Sequence, residues 1–526
     1  MTVQRRVSLG LDIGGTNIDV ALVDADDGSV SYYGKFSRHT YTVAEALKIE
    51  PVRRYVESAR RVMLSTSRVL NTFLETKLPS TSLVLAPGPG LPPPRSLAEE
   101  CIVIEGYVDP RGIVLEDVDV KEIVRALERK AMESIAIVTK FSIRNPILEQ
   151  RILEAACRVM PRERIAVSHK IPFLDYRRRA ATTVLTAKLK LVLHDLMREL
   201  GSWLKKLYLI KGDGGAQPLE LAVENAALAL GSSQASIVIG VQAVLGSVTG
   251  VIVDVGGTTI DVVPIASGES QLTTLHFRDA DTYIVVPRFE SIVAGGDCSI
   301  AVVDGRGRVV PRRAGVPAAF GGEQATVTDA LNYALELSIG DHVRSRRVIR
   351  ELARKHGVDP RDLAQGVVED VVSKVVELVR KTGCCGPIIA AGYLGKHVAP
   401  LIAKECGVGC IVPEHYHVLN AIGAAATSFS LEVGIYYDGV DGKAVFTPSG
   451  RVIEAKKRFI DKGDILEMAR EELIGIARRL DAEDLVGDIE VVHYDSFTVV
   501  KERVPQGMVA HCIIRAKPKA MIRVRR

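Results

Sequence analysis

Residues Leu9 to Asp24 read LGLDIGGTNIDVALVD, and residues Val251 to Ile265 read VIVDVGGTTIDVVPI. Each stretch is an apolar run, then Asp-x-Gly-Gly-Thr, then a second apolar run that carries another Asp. Apolar runs flanking a Gly-Gly pair predict a β-hairpin with a tight turn. Glycines there permit positive φ and remove Cβ atoms, so backbone N–H groups can approach an anion. The Asp ending each first strand, Asp12 and Asp254, then faces that anion and suits a hydrated Mg²⁺. One such segment alone is equally well an ordinary hairpin turn. Two copies with the same flanks point to a nucleotide site between two related halves, each gripping the same polyphosphate.

This duplication resembles the actin, sugar-kinase and heat-shock ATPase superfamily. The resemblance implies an α/β fold, with two ribonuclease H-like domains around a nucleotide cleft. The expected order is first phosphate turn, connecting helix, second phosphate turn, adenosine loop, second connecting helix. Gly392 to Gly395, after the apolar run Pro387 to Ala391, stands where the adenosine loop belongs. Ala421 to Ala426 is rich in Ala and Gly, which suits a close helix crossing at a hinge. Taken alone, it would be only a tightly packed core segment.

The 526 residues are too many for one core and imply two large domains and a smaller one. The expected division is 1–180, 181–434 and a small α+β lobe at 435–526. A composition of 47% hydrophobic and 25% charged residues is globular. A net charge of +4 with no dense Lys/Arg stripe argues against nucleic acid. The basic end, Met521 to Arg526, reads as a solvated tail. No run of about 18 uninterrupted apolar residues suggests a membrane span. The start, MTVQRRVSLG, leads straight into the first hairpin without a cleavable signal, so the chain reads as cytoplasmic. Eight cysteines without a CxxC pair read as buried thiols; Cys384-Cys385 with Cys406 and Cys410 are the one candidate cluster.

Between the hairpins, apolar runs alternate with helical patterns, as α/β folds require. Helices are expected at Val43 to Ser58, broken at Pro51, at Glu122 to Ser134, at Ile147 to Val159 and at Thr183 to Trp203. From about Ile435 onward the pattern changes to short strands and one helix.

More specific motifs resemble the A-type subunit of the hydantoinase/oxoprolinase family over most of residues 7 to 430. They are Ser65-Thr66-Ser67 with Asn71, Ser142 to Glu149 around Asn145-Pro146, Ser168-His169 with Pro172, and Arg177 to Thr183. Gly212 to Gly215, Gly295 to Ala301, Thr326 to Ala330 and Gly392 to His397 continue the series in order. The chain departs from the family pattern at Leu148, where His is usual, at Gly231-Ser232-Ser233, and at Asp297-Cys298.

What the resemblance implies is ATP-driven hydrolysis of a cyclic amide such as 5-oxoproline or a hydantoin, by phosphorylation of the carbonyl oxygen. The expected cofactors are ATP and Mg²⁺, with a second divalent metal as a further candidate. The expected partners are a B-type subunit, further copies of the chain, or both. Asp12 and Asp254 are the candidates for Mg²⁺ and phosphate positioning. Gly14, Gly15, Thr16, Gly256, Gly257 and Thr258 are the phosphate donors, and Gly392 and Gly395 hold the adenosine. Asp213, on a glycine turn at a strand end, is the candidate catalytic carboxylate at the substrate; its alternative is a simple turn Asp. His169 and His397, with Asp329, are candidate metal or substrate ligands, each with a cap or core role as its alternative. Glu414, His415 and His417 are read as a surface loop, and Asp19 and Asp261 as hairpin stabilisers. A sugar or small-molecule kinase and a regulatory ATPase without amidase activity remain as alternatives, because a fold hosts many functions.

Overall fold

The computed structural model describes residues 7–525 except 39, 51, 60, 75–77, 91, 131 and 202–206. The expected break at Pro51 and the expected helix end at Trp203 lie outside the described residues.

The first motif forms the hairpin its pattern predicts. Val7–Ile13 runs antiparallel to Asn17–Asp24, with Asp12 opposite Asp19. Val7–Ile13 also pairs in parallel with Val62–Thr66, which pairs in parallel with Leu207–Ile210. The six-stranded sheet runs Ala216–Pro218, Leu207–Ile210, Val62–Thr66, Val7–Ile13, Asn17–Asp24, Val30–Ser37. Its central strands are covered on both faces, which is why they read as nearly continuous apolar runs.

The second motif repeats this construction. Gly250–Val255 is antiparallel to Ile260–Ile265, with Asp254 opposite Asp261, and parallel to Ile388–Ala391. Glu290–Ile292 and Cys410–Ile411 complete that sheet at its edges. The expected adenosine loop therefore leaves the strand beside Asp254.

Two helices join the halves. Ser232–Leu245 and Leu419–Ala426 cross in backbone contact, as the small-residue run suggested. A Cβ built on Gly423 would stand 1.8 Å from the Ser236 carbonyl oxygen, and one on Gly240 would stand 2.1 Å from that of Leu419. Gly10 of the first strand is equally tight, with the Ala421 carbonyl oxygen at 1.9 Å from such a Cβ. Only glycine permits these approaches.

Other expectations are adjusted. The division at 180 falls inside one helix, Tyr176–Leu200, and Leu207–Pro218 belongs to the first sheet. The parallel sheet of Ile165–Val167, Ser134–Thr139, Thr81–Ala86 and Glu100–Val103 is a separate layer of the first half. The predicted helix Val43 to Ser58 is two short helices, Val43–Ala46 and Val52–Ser58. The C-terminal lobe is a five-stranded antiparallel sheet carrying the helix Lys462–Arg479. Its last two strands, Ile489–Lys501 and Val504–Ala516, are long rather than short. The basic tail is not wholly solvated. Val524 is buried, its N–H donates to the Ala243 carbonyl, and the Arg525 N–H donates to that of Gly28.

Candidate functional site

The two turns meet. Thr16 Oγ1 and Thr258 Oγ1 lie 3.4 Å apart. Both turns, with Gly392 and Tyr393, line one cleft of about 90 Å³. Gly14, Gly15, Gly256 and Gly257 all lack positive φ, so the conformational reason expected for them does not hold. Close approach explains Gly257, where a Cβ would come within 2.8 Å of both Thr16 Oγ1 and Asp297 Oδ2. Gly15 faces open space, with Asn71 Nδ2 at 3.6 Å from such a Cβ, which leaves its backbone accessible. Gly392 requires glycine twice over: its φ is +74°, and a Cβ would stand 2.3 Å from Asp254 Oδ1. Gly395 starts the helix Gly395–Cys406 and does not line this cleft.

Asp12 and Asp254 converge across the cleft on one side chain. Asn420 Nδ2 stands 3.4 Å from an oxygen of each carboxylate and donates to Ser233 Oγ at 2.8 Å. Ser65 Oγ donates to Asp12 Oδ1 at 2.6 Å, and Ser233 Oγ lies 3.4 Å from Oδ2. The paired aspartates have partners of their own. Lys35 Nζ is 2.6 Å from Asp19 Oδ2. Gln234 Nε2 donates to Asp261 Oδ2 at 2.6 Å, and Ser291 donates to Oδ1.

Four carboxylates thus share a buried region with Lys35 as the ammonium among them. Burial pushes Asp254 up to about 7, the Asp261 charge adds to this, and Lys35 opposes it. Burial pushes Asp19 up to about 6 against Lys35, and Asp12 and Asp261 are raised for the same first reason. Carboxylates in this state are short of positive charge, which a hydrated divalent cation would supply. Among the described residues no group of three or more His, Cys, Asp or Glu side chains could hold a metal. A cation held between Asp12 and Asp254 would have to take most of its ligands from water and phosphate, which suits Mg²⁺.

The pH dependence follows from the raised values. Below about pH 7 a proton would compete with the cation at Asp254, so affinity for Mg²⁺ or Mn²⁺ should fall about fivefold from pH 7 to pH 6. Without cation the folded state binds more protons than the unfolded chain from about pH 4 to 7, so stability should fall as pH rises through that window. Isothermal titration of Mn²⁺ and urea unfolding at stepped pH check both; a flat affinity from pH 6 to 8 would remove Asp254 from the cation site.

Other expected residues lie elsewhere. Asp213 does not line the phosphate cleft. It accepts from Lys211 Nζ at 2.8 Å, Ser430 Oγ at 2.9 Å and the Gly215 N–H at 2.9 Å, and lines a separate cavity. Burial alone would raise its carboxyl, but the Lys211 ammonium and hydrogen bond prevail and hold it below the usual carboxylate range. His169 Nδ1 is 2.8 Å from Oε2 of buried Glu149, and His397 sits on the helix Gly395–Cys406. Among the described residues, neither histidine belongs to a group of three or more His, Cys, Asp or Glu that could hold a metal. Asp329 caps the helix Val327–Ala334 and accepts from Ala318 N, Ala319 N and Ser345 Oγ, a packing role.

Sequence reasoning missed Asn420, Ser233 and Lys35, and it misplaced His417. His417 lines the cleft with a buried Nδ1 that has no partner among the described residues, and burial with nearby Lys35 pushes it down to about 4. The Asn directly before the small-residue run Ala421 to Ala426 was the available signal. Nothing local tied it to a carboxylate more than 400 positions earlier.

Comparison with known proteins places this architecture. The hydantoinase/oxoprolinase N-terminal region matches residues 8–160, and hydantoinase/oxoprolinase matches residues 179–433. Caprolactamase subunit alpha of Pseudomonas jessenii is 25% identical over 478 residues, which cover 77% of this chain and 68% of that protein. An uncharacterized protein of Methanocaldococcus jannaschii is 24% identical over 368 residues, 61% of this chain and 54% of that one. A nucleotide-free structure of acetone carboxylase superposes with a TM-score of 0.71 at 17% identity, covering 99% of this chain and 88% of the other. The ATP-dependent caprolactamase structure from Pseudomonas jessenii gives 0.61 at 20% identity, covering 98% and 87%. These structural likenesses carry the fold, a mixed α/β architecture. The expected resemblance holds on both matched regions: this chain belongs to the hydantoinase/oxoprolinase family.

Proposed function

We propose that this chain is the ATP-using subunit of a cyclic amide hydrolase. The observation that carries the proposal is the convergence of Asp12 and Asp254 on Asn420 between two phosphate-type turns, in a region short of positive charge. A divalent cation held there would neutralise polyphosphate charge and fix its geometry. The turn N–H groups of Gly15, Thr16, Gly257 and Thr258 are the phosphate donors in this reading; those of Gly14 and Gly256, expected as donors too, instead close the turns onto the Asn17 and Thr259 carbonyls. Gly392 and the loop to Gly395 face the nucleoside. The naming of one relative as an alpha subunit supports a second, B-type subunit here. Among the described residues no helix is long and apolar enough to cross a membrane.

The chemistry explains why ATP is needed. Amide resonance makes an unstrained ring amide a poor electrophile. The carbonyl oxygen takes the terminal phosphoryl group, the bond to ADP breaks, and the ring N–H proton passes to a base. Water then adds at the activated carbon, the C–N bond breaks with the amine leaving protonated, and a second water releases phosphate from the acyl group. One ring amide, one ATP and two waters become one amino acid, ADP and phosphate. The cleft must exclude water during transfer, and the contact between the Thr16 and Thr258 turns suits that task.

The test is ATPase turnover across lactams, 5-oxoproline, hydantoins and sugars, with and without a B-type subunit. Stimulation by a ring amide together with ring-opened product is expected. Sugar phosphorylation without ring opening would replace this reading with a kinase, and nucleotide binding without stimulated turnover would replace it with a regulatory ATPase.

A further inference from the structure

The parallel sheet of the first half ends in a crevice of its own. Thr81–Ala86 lies between Glu100–Val103 and Ser134–Thr139, and all three run in parallel. From Thr81–Ala86 the chain passes to Glu100–Val103 on one side, then crosses to Ser134–Thr139 on the other. Such a reversal of strand order opens a gap at the carboxyl ends of the strands, where open α/β sheets hold ligands. The turn that leaves Ser134–Thr139 there runs from Lys140 to Asn145 and enters the motif Ser142 to Glu149, which the phosphate chemistry does not use.

Arg144 stands on this turn, and its charge is unanswered. Its Nε is buried without a hydrogen-bond partner among the described residues. Its terminal nitrogens have no partner there either and, unlike Nε, are open to solvent. Stacking holds the guanidinium in place: Cζ lies 4.8 Å from the Tyr436 ring centroid and 5.2 Å from that of Phe141. Phe141 has a φ of +26°, which a bulky residue keeps only where its surroundings enforce it.

The nearby acids are committed elsewhere. Buried Asp438 pairs with Arg111 Nε at 3.3 Å and accepts from Tyr436 Oη at 3.3 Å and from the Val440 and Asp441 N–H groups at 2.9 Å. Asp109 accepts from the Arg111 and Ile113 N–H groups at 2.9 and 2.8 Å. Burial disfavours the Arg144 charge, and Tyr436, Asp109 and Asp438 offset only part of that. A partly desolvated guanidinium with an open planar fork selects a planar carboxylate, which meets two of its N–H groups at once. The carboxylates around it oppose a doubly charged phosphate more than a singly charged acid.

We propose that Arg144 anchors a small carboxylic acid in this crevice, at a binding site separate from the phosphate cleft, which Arg144 does not line.

Saturation-transfer NMR on the full chain without nucleotide tests the site, with propionate as the probe and the unfolding temperature measured on the same samples. Propionate should give a saturable signal in the wild type and raise its unfolding temperature. Arg144→Lys keeps the charge but loses the fork, and should weaken propionate about tenfold. Arg144→Met removes the charge and should abolish both effects. Without propionate it should unfold at or above the wild-type temperature, because the charge that is lost had no partner. An equal propionate signal in the wild type and Arg144→Met overturns the site, as does the absence of any signal in the wild type. Displacement of propionate by an equal concentration of inorganic phosphate overturns the carboxylate class. If Arg144→Met fails to fold, Arg144→Lys decides: wild-type propionate affinity there makes Arg144 a packing residue and overturns the site.

Discussion

Asp254→Asn is expected to reduce ATP turnover by about 10²-fold or more while leaving the protein folded. The substitution keeps size and removes the charge that a divalent cation needs. The carboxyl ends a strand beside the cleft, and its nearest polar partner there is Asn420 Nδ2 at 3.4 Å, so no strong pair is broken. Because burial pushes Asp254 up to about 7, its ionised form is a burden on the cation-free protein above that pH. The Asn variant should therefore unfold at or above the wild-type temperature at pH 8 without Mg²⁺, and should gain less from adding Mg·ATP. Calorimetric melting with and without Mg·ATP, beside a steady-state ATPase assay, separates these effects. Wild-type turnover in the variant would mean that the second turn does not position phosphate.

Asp213→Asn should act through stability. Asp213 and Lys211 are both buried, 2.8 Å apart, with Ser430 and Gly215 completing the carboxylate's shell. Removing one member of a buried pair leaves the other charge uncompensated, at a cost of about 3–5 kcal/mol. Lys211→Met should cost a similar amount, and the double variant should recover much of the loss. Urea unfolding of the three variants gives the coupling directly. If Asp213→Asn left stability unchanged and removed only ring-amide-stimulated turnover, the carboxylate would be catalytic, as its place on a glycine turn first suggested.

The two aspartates differ in what their neighbourhoods in the chain could disclose. For Asp254 the local pattern was sufficient to place the carboxylate: apolar run, Asp, turn, apolar run. Hairpin register then sets it opposite Asp261, just as Asp12 stands opposite Asp19. For Asp213 the glycine turn was legible, but the ion pair with Lys211 and the bond from Ser430 were not. A turn at a strand end suits both a catalytic carboxylate and a buried ion pair, and only the packing around it distinguishes them.

The same contrast runs through the molecule. Short-range features were written in the sequence: two hairpins, the turns that interrupt their apolar strands, the α/β alternation and the glycine-rich crossing near Ala421. Each depends on backbone geometry and side-chain period over a few residues. The ordered motifs from Ser65 to His397 were enough to indicate the family. Long-range placement belonged to the tertiary structure. Leu207–Ile210 joins a sheet in which four of the other five strands lie before residue 70, a pairing that no local pattern could announce. Asn420 reaches Asp12 and Asp254 because its helix packs against both halves, and His417 enters the same cleft from a segment that read as surface loop. Local pattern sets what a segment becomes; which distant segments share a cleft is decided by how sheets and helices bury their apolar faces together.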